Sequence, residues 1–229
     1  MTFKNACLQW ENTTEGHKYI NETFSKKVNE TPKLKAFRDY VESTAYGFGE
    51  RSFIWLWNIL AKSLPPNFKF LEIGVYRGQS LAAIKLGKAS ANVTGITPLD
   101  QTGGFHSSDY AKDIKDLHIK YKLKQPTIWK GLSSDADILN KASKTAWDVI
   151  YIDGGHSYQD AHHDVFRYSS FVKLGGYLIV DDCANKYPMP DGYFGGIESV
   201  SKAVDELLPN EHYKEVFSVV HIRVFKRIK

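Results

Sequence analysis

Two short apolar runs that end in carboxylates, with one helix's length of chain between them, constrain the fold more than anything else here. The first is Trp147-Asp-Val-Ile-Tyr-Ile-Asp153, continuing as Gly154-Gly-His156-Ser-Tyr158; the second is Gly175-Gly-Tyr-Leu-Ile-Val-Asp181-Asp182. As parallel neighbours, two such strands bring their C-terminal ends to roughly 5 Å from each other. Asp153, Asp181 and Asp182 then converge at the edge where open α/β sheets bind ligands. Three carboxylates beside His156 point to a hard divalent cation and a base. Adjacent strand residues face opposite sides, so Asp181 and Asp182 reach one ion together only if the strand breaks there. For Asp153 the competing reading is a cap for the helix that begins near Ser157.

The rest of the chain supplies the sheet. From Asn67 onward the pattern alternates strand and helix: Phe68–Gly74, a helix from Gln79 to about Leu86, Asn92–Thr97, a helix marked by Tyr110, Ile114, Leu117 and Tyr121, then Thr127–Trp129. Further strands are expected at Val149–Ile152 and Tyr177–Val180, joined by a crossover helix over Tyr158–Val172, and a helix near Ile197–Leu208 follows. The tail from Glu215 to Phe225 reads as an antiparallel hairpin at the sheet edge. Such βα units predict a doubly wound parallel sheet covered by helices on both faces. Residues 1–62 are helical in character, with Leu34, Phe37 and Val41, then Phe53, Leu56, Trp57 and Leu60, at helical spacing before the stop at Pro65-Pro66. This segment is expected to wrap a core spanning 63–229, and Tyr46-Gly-Phe-Gly49 marks part of it as a lid.

Composition excludes several classes. With 30 basic and 26 acidic residues the net charge is only +4, too even for a nucleic-acid footprint. No run reaches the roughly 18 apolar residues of a membrane span, and no signal pattern opens the chain. With only 2 cysteines at no metal-type spacing, a reducing, cytoplasmic setting is expected rather than a disulfide framework. Whether the chain forms a homo-oligomer is left open.

The first strand narrows the ligand. Glu72-Ile-Gly74-Val-Tyr-Arg-Gly78-Gln-Ser80 sets two glycines between strand and helix, where the backbone can approach a ligand and the helix offers free N–H groups. A branched side chain at Gly74 is therefore expected to fill space that a cofactor needs. The third glycine of the dinucleotide spacing is missing, which argues against an NAD-dependent oxidoreductase.

Together, Glu-Ile-Gly-x-x-x-Gly-x-Ser, Ile-Asp-Gly-x-His-x-Tyr and Gly-Gly-x-x-x-x-Asp-Asp resemble the class I S-adenosylmethionine-dependent methyltransferases. The likeness is nearest to the metal-dependent O-methyltransferases of methyltransferase family 24, of the macrocin, mycinamicin and novobiocin type. It covers roughly Phe68 to Val204. The resemblance implies a Rossmann-like sheet of seven strands with the last antiparallel, S-adenosylmethionine across the first strand ends, and Mg²⁺ at the fourth and fifth. It implies that Glu72, Gly74 and Gly78 hold the methionine end, that Ser80 meets the cofactor carboxylate, and that Asp135, after the third strand, meets the adenine. By the same likeness Asp153, Asp181 and Asp182 are metal ligands, Asp153 also borders the cofactor, and His156 is the base. One departure stands out: the acid expected after the second strand to bind the ribose is Thr97, so that contact falls to Thr97 or to Asp100.

The implied reaction is transfer of an activated methyl group to the hydroxyl of a small molecule, a sugar or a phenol, whose proton is lost to the base. The loops Gln101–His106 and Tyr187–Phe194 are expected to wall the acceptor's pocket. A non-catalytic or hydroxylase-like relative that keeps the carboxylates is the alternative.

Overall fold

The structure is a computed structural model that describes residues 1–99 and 109–229. Asp100 and the loop Gln101–His106 lie outside the described residues. Four helices come first: α1 (Phe3–Gln9), α2 (Thr14–Glu30), α3 (Pro32–Thr44) and α4 (Arg51–Ser63). They are followed by β1 (Lys69–Ile73), α5 (Gln79–Gly87), β2 (Asn92–Thr97), α6 (Tyr110–Lys120), β3 (Thr127–Lys130), α7 (Ala136–Ser143) and β4 (Trp147–Ile152). The chain closes with α8 (Tyr158–Tyr168), β5 (Val172–Val180), α9 (Glu198–Leu207), β6 (Tyr213–Val219) and β7 (Ile222–Arg227).

The strands form one seven-stranded sheet in the order β3-β2-β1-β4-β5-β7-β6. β1 through β5 pair in parallel, whereas β7 runs antiparallel to both β5 and β6. The expected closing hairpin is present, but β7 inserts between β5 and β6, so of its two strands β6 alone lies at an edge. The two-residue period of a strand sorts the apolar side chains into two layers. Phe70, Val149, Tyr151 and Ile179 face α1–α5, and Leu71, Ile73, Ile150, Ile152, Leu178 and Val180 face α7–α9. The N-terminal helices thus share a core with the sheet: Trp57 of α4 packs edge-on against Phe70 and Tyr151, with ring centroids 6.1 and 4.8 Å away.

Polar contacts fasten this segment further. Arg77, after β1, donates to Asp113 of α6 at 2.6 Å and to the carbonyls of Thr44 and Ala45, and its guanidinium lies 4.0 Å from the Tyr46 ring centre. Arg38 donates to Gln79 and to the carbonyl of Gly49. The α3–α4 connection is therefore tied to the first turn of α5, at the mouth of the cavity described below.

Two expectations are corrected. The crossover helix stops at Tyr168, and after a 3₁₀ turn Val172 already pairs with Trp147, so β5 starts five residues earlier than expected. The interruption at Gly175 (φ 79°), which fits no regular strand, masked that early start. Helix α7 was not anticipated, since its buried stripe is only Ile138 and Ala142. No helix of the described residues is long and apolar enough to cross a membrane.

Candidate active site

At the C-terminal edge of the sheet, where the chain winds outward in both directions from β1 and β4, lies a cavity of about 810 Å³. One end is built by the turn after β1. Gly74 (φ 91°) and Gly78 (φ 87°) occupy backbone conformations that favour glycine. A Cβ on Gly74 would lie 1.8 Å from the carbonyl oxygen of Asp153, so the steric demand at this glycine comes first from the neighbouring strand end. That adds a second reason to the one expected for it. Gly78 precedes α5, and its Cβ would press on Ile114 at 3.1 Å.

Glu72 points into the same end and is buried, and burial holds its carboxyl up at about 8. Ser80 donates a short hydrogen bond to one of its oxygens, while the other, Oε2, is buried without a partner. Thr97 is buried at the end of β2, and its hydroxyl accepts the N–H of Leu99 at 3.3 Å. Gly131, Leu132, Ser133 and Ser134 also line the cavity. Asp135 does not: it is exposed, and its carboxylate accepts the N–H of Leu132 at 2.8 Å, closing the loop whose other residues form the wall. The adenine contact expected of Asp135 is thus not placed by this geometry.

The other end holds the acids. Asp153 follows β4 and is no helix cap; Ser157 caps α8 instead. Asp181 follows β5, and Asp182 takes a left-handed backbone (φ 52°) that ends the strand, its carbonyl accepting the N–H of Ile197 at 2.8 Å. This break lets the two neighbouring carboxylates share one space. Tyr151, two residues before Asp153 and therefore on its side of the strand, donates a short hydrogen bond to Asp181 and lies 3.2 Å from Asp153. Burial first, then the charges of Asp181, Asp182 and Glu72, holds the Asp153 carboxyl well above the ordinary range. Asp182 is raised by burial and by Asp181, against the opposing effect of His221 and His156.

His156 lies half exposed at the rim with Nε2 3.3 Å from Asp182. His221, from the β6–β7 turn, is buried and places Nε2 3.3 Å from Asp181 and 3.7 Å from Asp182. Two donor groups of cation-binding dimensions result, Asp153 with His156 and Asp182, and Asp181 with Asp182 and His221. Asp182 belongs to both, so the three carboxylates of the sequence reading meet through it. Tyr151 and His221 were missed by that reading. The two-residue period marked Tyr151; His221 stands in an apolar hairpin, with nothing local to aim it at the acids. Aromatic side chains rim the cavity, among them Phe48 stacked on Tyr76 at 5.3 Å, and Phe194. Tyr187, expected in that wall, instead donates to Glu215.

Residues 71–183 match a family described as a methyltransferase domain. Among curated proteins, an uncharacterised protein, R132, of Acanthamoeba polyphaga mimivirus is 29% identical over 117 residues, which is 49% of this chain and 50% of that protein. The match therefore spans about half the length of this curated relative. Among solved structures, a putative caffeoyl-CoA O-methyltransferase from Staphylococcus aureus superposes with a TM-score of 0.61 at 15% identity, over 85% of this chain and 91% of that one. An O-methyltransferase from Bacillus cereus, solved with S-adenosylhomocysteine, gives 0.58 at 13% identity over 94% and 98%. Residues 71–183, just under half of the chain, thus match the methyltransferase-domain family, and the fold built around them is the Rossmann-like fold of solved methyltransferases.

Proposed function

We propose that this protein transfers a methyl group from S-adenosylmethionine to a hydroxyl oxygen of a small molecule, with a divalent cation assisting. The observation that carries the reading is one cavity with a cofactor-type turn at one end and a carboxylate–histidine cluster at the other. The residues fit both groups. The unpartnered Oε2 of Glu72 is a buried polar atom waiting for a partner, as a bound ammonium or hydroxyl provides, and a cluster of like charges fits a cation.

When bound, S-adenosylmethionine supplies a methyl group activated by its sulfonium, and a divalent cation supplies positive charge that lowers the pKa of a hydroxyl beside it. Glu72, Ser80 and the two glycines orient the methionine end, and the Gly131–Ser134 loop walls the far side. Asp153, Asp181 and Asp182 hold the cation, which the carboxylates taken alone would select as Mg²⁺. His156, at the rim and free of short hydrogen bonds on its ring, takes the acceptor's proton. Phe48, Tyr76 and Phe194 offer flat apolar faces that suit a phenol or a sugar ring.

The test is release of S-adenosylhomocysteine over a panel of phenolic and sugar acceptors, with divalent cation or with chelator. Chelation should abolish turnover and leave cofactor binding nearly intact. His156→Ala should lower turnover by roughly 10² to 10⁴-fold, the range for losing a general base. Full-rate methylation in chelator would mean the carboxylates are structural and the cation plays no part.

A further inference from the structure

We propose that His221 is a nitrogen ligand of the cation site, which makes it a site for a first-row transition-metal dication, Mn²⁺ or Fe²⁺, in preference to Mg²⁺. The inference rests on the cation-assisted reading above and goes beyond it in naming the donor set and the ion.

The argument starts from the burial of the imidazole. His221 is 7% exposed, and its Nδ1 is buried with no partner. Phe53 and Phe194 hold the ring edge-on, with centroids 4.9 and 5.1 Å away. Its remaining polar atom, Nε2, faces the carboxylates of Asp181 at 3.3 Å and Asp182 at 3.7 Å. An imidazole acting as a counter-ion would close to the about 2.7–2.9 Å of a charge-assisted hydrogen bond. Both contacts are longer. They match the roughly 3–4.5 Å between atoms that share a cation through bonds of about 2.0–2.3 Å. Burying an imidazole with neither nitrogen in a short bond is costly unless a ligand supplies the partner.

The hairpin fixes the ring independently of the acids. The carbonyl of His221 accepts the N–H of Cys183 at 3.0 Å, so the turn is stitched to the chain just after Asp182. β7, inserted between β5 and β6, carries the turn to the acids. Chemistry then selects the ion. Oxygen-only sets suit Mg²⁺ and Ca²⁺, whereas an imidazole among carboxylates raises affinity for transition metals, with Mn²⁺ accepting both donor types.

The experiment uses the full chain, stripped with chelator and titrated with Mn²⁺ and with Mg²⁺, with pulsed EPR of the Mn²⁺ form reporting directly bound nitrogen. His156→Ala, His221→Ala, His221→Gln and the double alanine variant are compared, and S-adenosylhomocysteine binding reports that each is folded. Directly bound nitrogen is expected in the wild type and in His156→Ala, and should be lost in the double variant. The preference for Mn²⁺ over Mg²⁺ should fall tenfold or more in a folded position-221 variant. Loss of all nitrogen coupling in His156→Ala, which leaves position 221 intact, would overturn the proposal. So would unchanged Mn²⁺ affinity and coupling in His221→Ala or His221→Gln. A wild type that binds Mn²⁺ through oxygen alone refutes the His221 assignment and leaves the cation-assisted reading standing. A wild type that binds neither ion refutes both.

Discussion

The two ends of the cavity are built on opposite principles. At the end formed by β1, β2 and the loop after β3, most polar side chains are already satisfied by the chain itself: Ser80 by Glu72, Thr97 by Leu99, Asp135 by Leu132. At the end formed by β4, β5 and the β6–β7 turn, three carboxylates meet with the Tyr151 hydroxyl and two histidines as the side chains that face them. The first end is a largely preformed cradle of nearly neutral groups, with the Glu72 Oε2 left open for a ligand. The second carries unbalanced charge, and the carboxyls of Asp153 and Asp182 respond by holding their protons more tightly. One end therefore recognises shape and hydrogen-bond pattern, and the other is poised for positive charge.

The largest effect should come from the residue that joins the two ends. Gly74 belongs to the cradle, yet the atom nearest its missing Cβ is the Asp153 carbonyl oxygen, at 1.8 Å. Gly74→Val must displace the β4 end or the β1 turn, in a left-handed conformation that a branched residue strongly disfavours. A loss of about 4 kcal/mol or more is expected, enough to unfold much of the population. Circular dichroism and thermal melts check this. A folded Gly74→Val protein of near-normal stability that merely binds cofactor weakly would return the glycine to the role expected from sequence.

That example shows where the sequence was legible. The order of strands and the acids that close β4 and β5 could be read because each strand is a continuous apolar run ended by charge. The structure sorts β1 by the same two-residue period, with Phe70 in one layer and Leu71 and Ile73 in the other. Contacts made across the sheet were not legible. The Asp153 carbonyl against Gly74, the Asp135 carboxylate turned back to Leu132, and His221 brought in by an inserted β7 all depend on registers between segments far apart in sequence. The early start of β5 was hidden for a local reason, the left-handed Gly175.

The next prediction sharpens the comparison by pH. Glu72 is the exception within the cradle, raised from an ordinary 4.5 to about 8, chiefly by burial. Unfolded, it releases its proton near 4.5; folded, it keeps the proton until about 8. Between these values the folded form holds more protons, so stability falls as pH rises. Asp164, raised to about 7 mainly by burial, acts in the same direction over a lower window. The ligand-free protein should lose melting temperature between about pH 5 and 8, and Glu72→Gln should flatten that slope, with the largest gain over wild type near pH 8. Parallel curves for the two proteins would show that Glu72 titrates normally and that the cradle is charged.

A smaller effect is expected from Tyr151→Phe, which removes the hydroxyl between Asp153 and Asp181. Losing a hydrogen bond to charged groups costs about 1–3 kcal/mol. The loss should be largest in the stripped protein and shrink when Mn²⁺ is present, because a bound cation takes over the hydroxyl's task of separating the carboxylates. Equal destabilisation with and without Mn²⁺ would mean that Tyr151 serves the strand rather than the charge cluster.

Asp135→Ala should have the smallest effect, and it tests the neutral end directly. The carboxylate is exposed and holds the Leu132 N–H, so its removal loosens the loop that walls the cavity. The cost in stability should be about 1 kcal/mol, with less than a tenfold loss of S-adenosylhomocysteine affinity, since the loop retains the Gly131 N–H bond to Thr97 at 3.1 Å. Calorimetry and a melt on the same variant separate the alternatives. An affinity loss well above tenfold with an unchanged melting temperature would put the carboxylate on the ligand after all. The cradle would then be completed only on binding, and the contrast between its two ends would narrow to the carboxylate–histidine cluster alone.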